Sequence, residues 1–312
     1  MTQAAPLGET APTGDLLRWF FVVVPGSIER IAPFPRIAAE VLERIPSIPA
    51  EDPRLYELLE PEQQLLADCA ETAVLSGLAV AGEDDSPKTI LARIKPGDFA
   101  RIAITFLARG YMERAFNVSE DRRYWRYTLA CAFCCSELAV LSRENSLMAH
   151  SAGLLHDIGR LALIAAYPHK YANLIALTDR MFKSGQQFNI SEKERLLFGI
   201  DRFGTGAWLA TTWRLPNWLH PVVGKFDDRA SAEQKMLVTI VRAGTRLAHS
   251  LGFGFLESAP RLTIRAILKE LPPMVLDQWR ALDHWKYGEV YLRTKIESQL
   301  QWYAAGPEPE EE

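Results

Sequence analysis

The segment AGLLHDIGRLAL, from Ala152 to Leu163, places a histidine and an aspartate side by side inside an otherwise apolar stretch of helical character. Adjacent residues on a helix point about 100° apart, so His156 and Asp157 can reach one site only near a helix end or a break. We expect Gly159 to provide that break. A buried carboxylate needs a partner, which a metal ion or a basic group would supply. Taken alone, the dipeptide favours a simpler interpretation, a capping aspartate beside a satisfied core histidine.

The chain on both sides of this segment carries signals for helices. Ser86 puts a capping side chain before a proline at the first helical position, and Ser191 with Glu194 has the spacing of a capping box. A Pro-Pro pair at 272–273 precedes a long final helix. No sustained alternation of apolar and polar residues indicates a strand. We therefore predict an all-α protein, a multi-helix bundle with an N-terminal helical subdomain and a C-terminal helical extension.

The composition along the chain suggests five parts. An N-terminal tail with a short apolar segment leads into an N-terminal helical part, a central helical core, a C-terminal helical extension and an acidic tail. We place these parts at residues 1–27, 28–116, 117–255, 256–305 and 306–312. The boundary near residue 117 is open, because the two helical parts can share one core.

The composition also limits the partners. Of the 312 residues, 48% are hydrophobic, which is enough for a sizeable core. Lysine and arginine number 35 against 39 acidic residues, a net charge of -4. Such a balance gives no general attraction for phosphate backbones or anionic lipids, so we expect neither nucleic acid nor membrane as a partner.

The targeting signals and the cysteines predict a cytoplasmic protein. The N-terminus has no early basic run, and the apolar stretch at residues 16–24 is too short for a bilayer span of about 20 residues. Cys131 and Cys134 have metal-like spacing, but no second pair of ligands lies at a matching distance. We interpret them, with Cys69 and Cys135, as small buried thiols in a reducing compartment.

The segment around His156 is similar to the signature of the HD superfamily of metal-dependent phosphohydrolases. It resembles more specifically the HDOD branch, an output domain in bacterial signalling. Four further segments resemble that branch and extend the likeness over roughly residues 30–255. These segments are ILARIKPGDFARIAITFL (90–107), WRYTLACAFCCSELA (125–139), GIDRFGTGAWLATTWRLP (199–216) and LVTIVRAGTRLAHSLG (237–252).

The resemblance implies a set of metal-ligand positions, most of which this chain has changed. In chain order these positions are Tyr127, His156, Asp157, Arg202, Lys225, Phe226 and, approximately, Gly244. Active members would carry histidine at the first and at the fourth to sixth of these positions, and aspartate at the last. Only the central His-Asp pair is therefore retained, and the site is a degenerate HD site.

This loss argues against a catalytic metal, which usually needs about three protein ligands and an open position. Arg202 and Lys225, if they point inward, disfavour a cation and would instead pair with Asp157. We expect no cofactor and assign no catalytic residue.

Four nearby side chains could replace the missing metal ligands. They are Asp201, Asp227, Asp228 and His249. We expect His249 to face away from the site, because it lies more than one helical turn beyond Gly244. A metal site, if present, would therefore use His156 and Asp157 with Asp227 and Asp228.

Three functions remain open. The resemblance implies a non-catalytic bacterial signalling module that acts through protein contacts or by binding a small ligand in the degenerate pocket. No receiver, cyclase or sensor domain is recognisable, so we expect signalling partners in trans. The alternative is a metal-dependent phosphohydrolase, a nucleotide or cyclic-dinucleotide phosphodiesterase with a rearranged ligand set and a divalent metal. The third is a purely structural helical protein.

Two further predictions concern residues outside this site. We expect His150 to be a surface or helix-terminal residue. The aromatic residues of the C-terminal extension could form a docking or homodimer surface, or could pack partly on the core. These aromatic residues are Trp279, Trp285, Tyr287, Tyr291 and Trp302.

Overall fold

The structure is a computed structural model that describes most of the chain. The described residues are 24–47, 54–116, 122–186, 188–224, 231–256, 261–281 and 284–303. All regular secondary structure in these ranges is helical, which confirms the predicted all-α class. None of the described helices is both long and apolar enough to cross a bilayer.

The described residues of the N-terminal part form six helices and one short 3₁₀ turn at Ile45–Ser47. The helices are α1 (Gly26–Glu29), α2 (Arg36–Arg44), α3 (Arg54–Leu59), α4 (Gln63–Leu75), α5 (Pro87–Leu91) and α6 (Pro96–Phe116). The predicted cap at the start of α5 is confirmed, because the Ser86 side chain accepts a hydrogen bond from the backbone N–H of Thr89.

The described residues of the central part form eight α-helices followed by a π-helical segment. The helices are α7 (Arg122–Ser142), α8 (Ser146–Leu155), α9 (Ile158–Ala166), α10 (Pro168–Lys183), α11 (Ile190–Phe198), α12 (Arg202–Thr212), α13 (His220–Val223) and α14 (Ala232–Ala248). The π-helical segment, His249–Phe253, continues directly from α14 and contains Gly252, whose φ is 91°.

The start of α11 differs from the sequence prediction. Asn189, not Ser191, caps this helix, and its side chain accepts a hydrogen bond from the Glu192 backbone N–H. The predicted capping box is therefore wrong. Glu194 is turned into the protein interior instead, where its carboxylate accepts hydrogen bonds from the Tyr171 hydroxyl and the Arg202 backbone N–H.

The centre of the core is a seam in which α7 packs against α8 and α14. Two glycines permit this close approach. A Cβ atom at Gly153 would lie 2.8 Å from the Cα of Ala132, and one at Gly244 would overlap the Sγ of Cys135 and lie 3.0 Å from its backbone nitrogen. We call this contact of Gly153, Gly244, Ala132 and Cys135 the helix seam.

The four cysteines of the chain all lie within the described residues. Each is a buried, free thiol, and three of them are on α7. Burial raises the pKa of the Cys135 thiol well above its ordinary value, so the group stays protonated. The predicted role of small buried thiols is therefore confirmed.

The N-terminal helices share one hydrophobic core with the central helices. The Tyr111 hydroxyl donates a hydrogen bond to the Ala32 carbonyl at 2.5 Å. Phe34 stacks on Trp213 with ring centroids 6.2 Å apart. The boundary near residue 117 lies outside the described residues, and the division of the chain stays a prediction.

The C-terminal extension consists of α15 (Ile264–Leu268), α16 (Pro273–Ala281) and α17 (His284–Trp302). Trp279 is buried and belongs to the core, whereas the side chain of Tyr291 is 37% exposed. The side chains of Trp285 and Tyr287 lie outside the described residues. The aromatic residues are therefore divided, and Trp279 does not form part of a surface.

Candidate functional site

A break between two helices brings His156 and Asp157 to one site. Helix α8 ends at Leu155 and α9 begins at Ile158, with Asp157 in a non-helical conformation (φ -113°, ψ 21°). The prediction that Gly159 provides the break is therefore wrong by two residues, because the non-helical residue is Asp157. Such a break lets two adjacent side chains point into the same pocket.

Gly159 has a different role from the predicted one. A Cβ atom at this position would overlap the Arg202 carbonyl oxygen and would lie 2.5 Å from the Gly206 backbone nitrogen. The absence of a side chain therefore lets α9 and α12 touch through their backbones. This contact brings Arg202, the first residue of α12, next to Asp157.

Both ring nitrogens of His156 have partners. Nδ1 lies 2.8 Å from the Gly153 carbonyl oxygen, and Nε2 lies 2.9 Å from the Tyr127 hydroxyl. A carbonyl can only accept, so Nδ1 carries the proton and Nε2 accepts a hydrogen bond from the phenol. Desolvation lowers the pKa of His156, and burial raises that of Tyr127 well above its usual value. Both groups are therefore neutral, and the phenol occupies the nitrogen that a metal would use.

The carboxylate of Asp157 faces two guanidinium groups. Its Oδ2 lies 3.1 Å from Arg160 Nε, and its Oδ1 lies 3.4 Å from Arg202 Nη1. Asp157 and Arg160 are each only 3% exposed. Burial raises the pKa of the Asp157 carboxyl, and the charge of Arg160 opposes that shift. The predicted pairing of Arg202 with Asp157 is present, and Arg160 is a second partner.

Arg160 is a residue of the pocket that the sequence prediction did not include, although it lies within the same segment as His156 and Asp157. Burial disfavours the charged form of this guanidinium, but Asp157, Tyr171 and Glu194 outweigh burial and raise the pKa of Arg160. Its spacing of three residues from Asp157 was the available signal, since residues so spaced lie on one helical face.

Glu194 is a second buried acid beside this pocket. Its carboxylate accepts hydrogen bonds from the Tyr171 hydroxyl and, at 3.0 Å, from the Arg202 backbone N–H. Burial raises the pKa of Glu194 to about 7, against the opposing charge of Arg160. Glu194 thereby ties α11 to the start of α12, and it holds the backbone from which the Arg202 side chain extends.

The other candidate ligands lie in different places. Asp201 caps α12 by accepting from the Gly204 N–H at 2.8 Å, and it also pairs with Arg195. Gly244 lies in the helix seam against Cys135. Lys225, Phe226, Asp227 and Asp228 are outside the described residues.

The prediction for His249 is wrong. A cleft of about 530 Å³ opens beside Asp157, and His249 lines it together with Tyr127, Arg160 and Arg202. The prediction assumed that Gly244 faces the site. Because Gly244 faces the helix seam instead, Thr245 and His249, four residues apart, share the helix face that borders the cleft.

The prediction for His150 is also wrong. This residue is buried, and its Nε2 lies 3.0 Å from the Thr105 hydroxyl, which donates to the Arg101 carbonyl. The two histidines of the α8 region therefore differ, since His150 belongs to the core and His156 to the pocket. Burial lowers the pKa of His150 to about 3.

The described residues do not fit the catalytic metal that the HD fold implies. The nitrogen of His156 that could coordinate an ion is capped by Tyr127, and the Asp157 carboxylate faces two cations. Within the described ranges, no group of three or more histidine, cysteine, aspartate or glutamate residues could hold a metal ion. We therefore derive no metal-dependent step for this arrangement.

Comparisons with known proteins find the same all-α fold in solved structures and one matching domain family. Residues 97–225 match the family model of the HDOD domain. An HDOD domain protein with unknown function from Geobacter sulfurreducens has a TM-score of 0.65 at 20% identity, over 93% of this chain and 96% of that one. No curated protein is significantly similar in sequence.

Two further solved structures share the fold. A protein from Marinobacter aquaeolei VT8, predicted to act in signal transduction, has a TM-score of 0.65 at 19% identity over 89% of this chain, which spans 64% of that protein. A predicted phosphohydrolase from Shewanella amazonensis SB2B has a TM-score of 0.56 at 19% identity, over 89% of this chain and 96% of that one. The chain thus has the all-α fold of HDOD proteins. The match of residues 97–225 to the HDOD domain model confirms the family resemblance that the motifs indicated.

Proposed function

We propose that this chain is a non-catalytic, cytoplasmic bacterial signalling module in which an ion-pair network replaces the metal centre of an HD phosphohydrolase. The observation that carries the proposal is the carboxylate of Asp157, which lies between Arg160 and Arg202. The five residues Tyr127, His156, Asp157, Arg160 and Arg202 are called the His-Asp pocket below.

The charges of the His-Asp pocket are the main support for a non-catalytic role. A divalent cation beside Asp157 would lie within a few ångströms of two guanidinium groups, and charges that close repel strongly in a poorly solvated site. The ion would also have to displace the Tyr127 hydroxyl from His156. Binding a metal ion would therefore weaken the ion pairs of Asp157 and break the hydrogen bond between Tyr127 and His156.

The signalling role rests on the HDOD domain and on one structural relative. The Marinobacter aquaeolei protein is itself predicted to act in signal transduction. We propose that this chain acts in the same general process, with its signalling partners supplied in trans. The four free thiols are typical of a reducing compartment such as the cytoplasm.

Metal analysis of the purified protein tests the non-catalytic role. Wild type, His156→Ala and the surface control Arg36→Gln are each incubated with Mn²⁺, Fe²⁺, Ni²⁺ or Zn²⁺, desalted and analysed by mass spectrometry. We expect the same substoichiometric metal content in all three. One ion per chain in wild type, lost in His156→Ala, would instead support the phosphohydrolase alternative with Asp227 or Asp228 as ligands.

Turnover is measured on the same samples with cyclic dinucleotides and with bis(p-nitrophenyl) phosphate. We expect no hydrolysis above the rate of the His156→Ala sample. Metal-dependent turnover that His156→Ala abolishes would overturn the proposal, whatever the measured metal content.

A partner assay separates the signalling module from a purely structural protein. Affinity capture from lysate compares wild type with Asp157→Asn, and circular dichroism checks that both are folded. A signalling role predicts that at least one captured partner depends on Asp157. If the folded variant differs only in stability and captures the same set, the pocket serves structure alone.

A further inference from the structure

The cleft beside the His-Asp pocket has an excess of positive charge. It is lined by Arg160, Arg202 and Arg246. Asp157 lies behind the first two, and the exposed Glu270 pairs with Arg246 at the rim. Two guanidinium groups thus share the carboxylate of Asp157 at the floor of the cleft, and no acidic residue is among the described residues that line it. The second buried acid beside the pocket, Glu194, has a pKa raised by burial to about 7 and is therefore partly neutral at pH 7.

The polar atoms at this floor are incompletely satisfied. The Nε atom of Arg202 is buried and has no hydrogen-bond partner among the described residues. Arg160 Nε and Asp157 Oδ2 lie 3.1 Å apart as an ion pair, but neither makes a hydrogen bond of good geometry within those residues. Arg160 is 3% exposed yet borders the cleft. Buried polar groups are normally hydrogen-bonded, so orphaned donors beside a cavity indicate that a further acceptor belongs there.

Arg202 is the residue best placed to reach such an acceptor. Its side chain is 28% exposed, and its Nη1 lies 3.4 Å from Asp157 Oδ1. That distance is longer than the roughly 2.7–2.9 Å of a strong charge-assisted bond. Arg202 can therefore turn toward an anion in the cleft while Arg160 keeps Asp157 paired.

The opposite wall of the cleft is irregular and partly apolar. It includes His249 and Ser250 of the π-helical segment, and single π-helical turns often occur at functional sites. Leu256 and Leu262 also line the cleft, and the Ser250 hydroxyl holds the wall together by donating to the Leu262 carbonyl at 2.7 Å. A volume of about 530 Å³ lies within the usual range for small-molecule sites.

We infer that this cleft binds a small organic molecule through its phosphate group, with Arg202 as the principal contact and Arg160 as the buried second contact. A carboxylate has two oxygens, which one guanidinium fork can satisfy. A phosphate presents three, and it can accept from two guanidinium groups on different helices. The inference rests on the proposed function, because a metal enzyme would use the same pocket for its ion.

Titration calorimetry tests the inference with inorganic phosphate, the four nucleoside monophosphates, the matching nucleosides and citrate. We expect phosphate or at least one monophosphate to bind, and the nucleosides not to bind. Arg202→Gln should weaken binding at least tenfold, Arg202→Lys should be intermediate, and Arg36→Gln should match wild type. Circular dichroism and melting curves show whether each variant is folded.

Three results would overturn the inference. Phosphate and the monophosphates could bind no better than the nucleosides, a folded Arg202→Gln could bind like wild type, or citrate could be the only anion bound. Two further measurements separate this inference from the proposed function. Chromatography shows whether the nucleotide recovered after calorimetry has been hydrolysed, and metal analysis shows whether the protein holds an ion. Absence of binding together with absence of turnover removes only the inference. Metal-dependent hydrolysis that still requires Arg202 removes only the non-catalytic role.

Discussion

The resemblance to HD enzymes implies ligand positions both in the His-Asp pocket and in the helix seam, and the residues at these two places have very different surroundings. In the pocket, Tyr127 and Arg202 occupy ligand positions with polar side chains that bond to His156 and Asp157. In the helix seam, Gly244 stands near the position of the last aspartate, and it has no side chain because α14 lies against α7 there. On the proposed assignment of positions, a ligand in the pocket is replaced by another polar side chain, whereas the helix seam leaves no space for a side chain at all.

This difference bears on how readily each change could be reversed. A polar residue in the pocket can be replaced without moving a helix, since the cleft supplies space next to it. A side chain at Gly244 has no such space, because it would meet both the sulfur and the backbone of Cys135. Close-packed interiors tolerate added volume poorly.

The largest expected effect is that of Gly244→Asp in the helix seam. It adds both volume and a buried charge, so we expect a loss of more than about 4 kcal/mol in the free energy of unfolding, or no folded protein. Urea denaturation measures this loss in the free energy of unfolding. Gly97→Asp is the matched control, because a Cβ atom there meets nothing within 4 Å. A folded Gly244→Asp with a stability close to that of the control would show that the seam is not closed.

The next effect in size is that of Asp157→Ala in the pocket. It leaves the buried Arg160 without its nearest counterion, and breaking a buried pair in this way costs about 3–5 kcal/mol. Glu40→Ala breaks the exposed pair with Arg36 and should cost about 0–1 kcal/mol. Urea denaturation of both variants makes the comparison. Equal losses would mean that the pocket network does not stabilise the fold.

His150 should make the protein sensitive to acid. Its pKa is about 3 in the folded protein, against an ordinary 6.5. Below pH 6.5 the unfolded chain therefore binds the proton first, and stability falls as the pH decreases toward 3. At pH 5 the loss is about 2 kcal/mol, at 1.36 kcal/mol per pH unit. The free energy of unfolding of His150→Gln, measured across this pH range, should not show this loss. The same dependence on pH in wild type and His150→Gln would contradict the expectation.

Glu194 should change the free energy of unfolding with pH in the opposite direction from His150. Its pKa is about 7 when folded, against an ordinary 4.5, so the folded state binds the extra proton between these values. This stabilisation is complete below pH 4.5 and is lost as the pH rises through 7. Glu194→Gln keeps an acceptor for the Arg202 N–H and should gain about 1–2 kcal/mol relative to wild type between pH 5 and 7. A constant difference between the two proteins would contradict this expectation.

The sequence predicted the all-α class and the pairing of Arg202 with Asp157, because helix caps and motif spacing are local properties. It misplaced Glu194, because Ser191 and Glu194 have the spacing of a cap. Only the folded chain shows that Glu194 accepts a hydrogen bond from the Arg202 N–H instead of capping α11. The prediction for His249 failed for a similar reason. The face of α14 that carries Gly244 packs against α7, and the sequence does not show which helix lies against that face.

The smallest expected effect sharpens the same comparison between exchanged and closed positions. Tyr127→Phe removes the hydroxyl that donates to His156 Nε2 and should cost about 0.5–1.5 kcal/mol, the usual worth of one hydrogen bond. It also exposes the coordinating nitrogen. If the two arginines are what excludes a cation, Tyr127→Phe should still bind no metal, and Tyr127→His with Arg202→His should bind more Zn²⁺ than either single variant. A metal-binding Tyr127→Phe would show that the phenol, and not the charge beside Asp157, keeps the ion out.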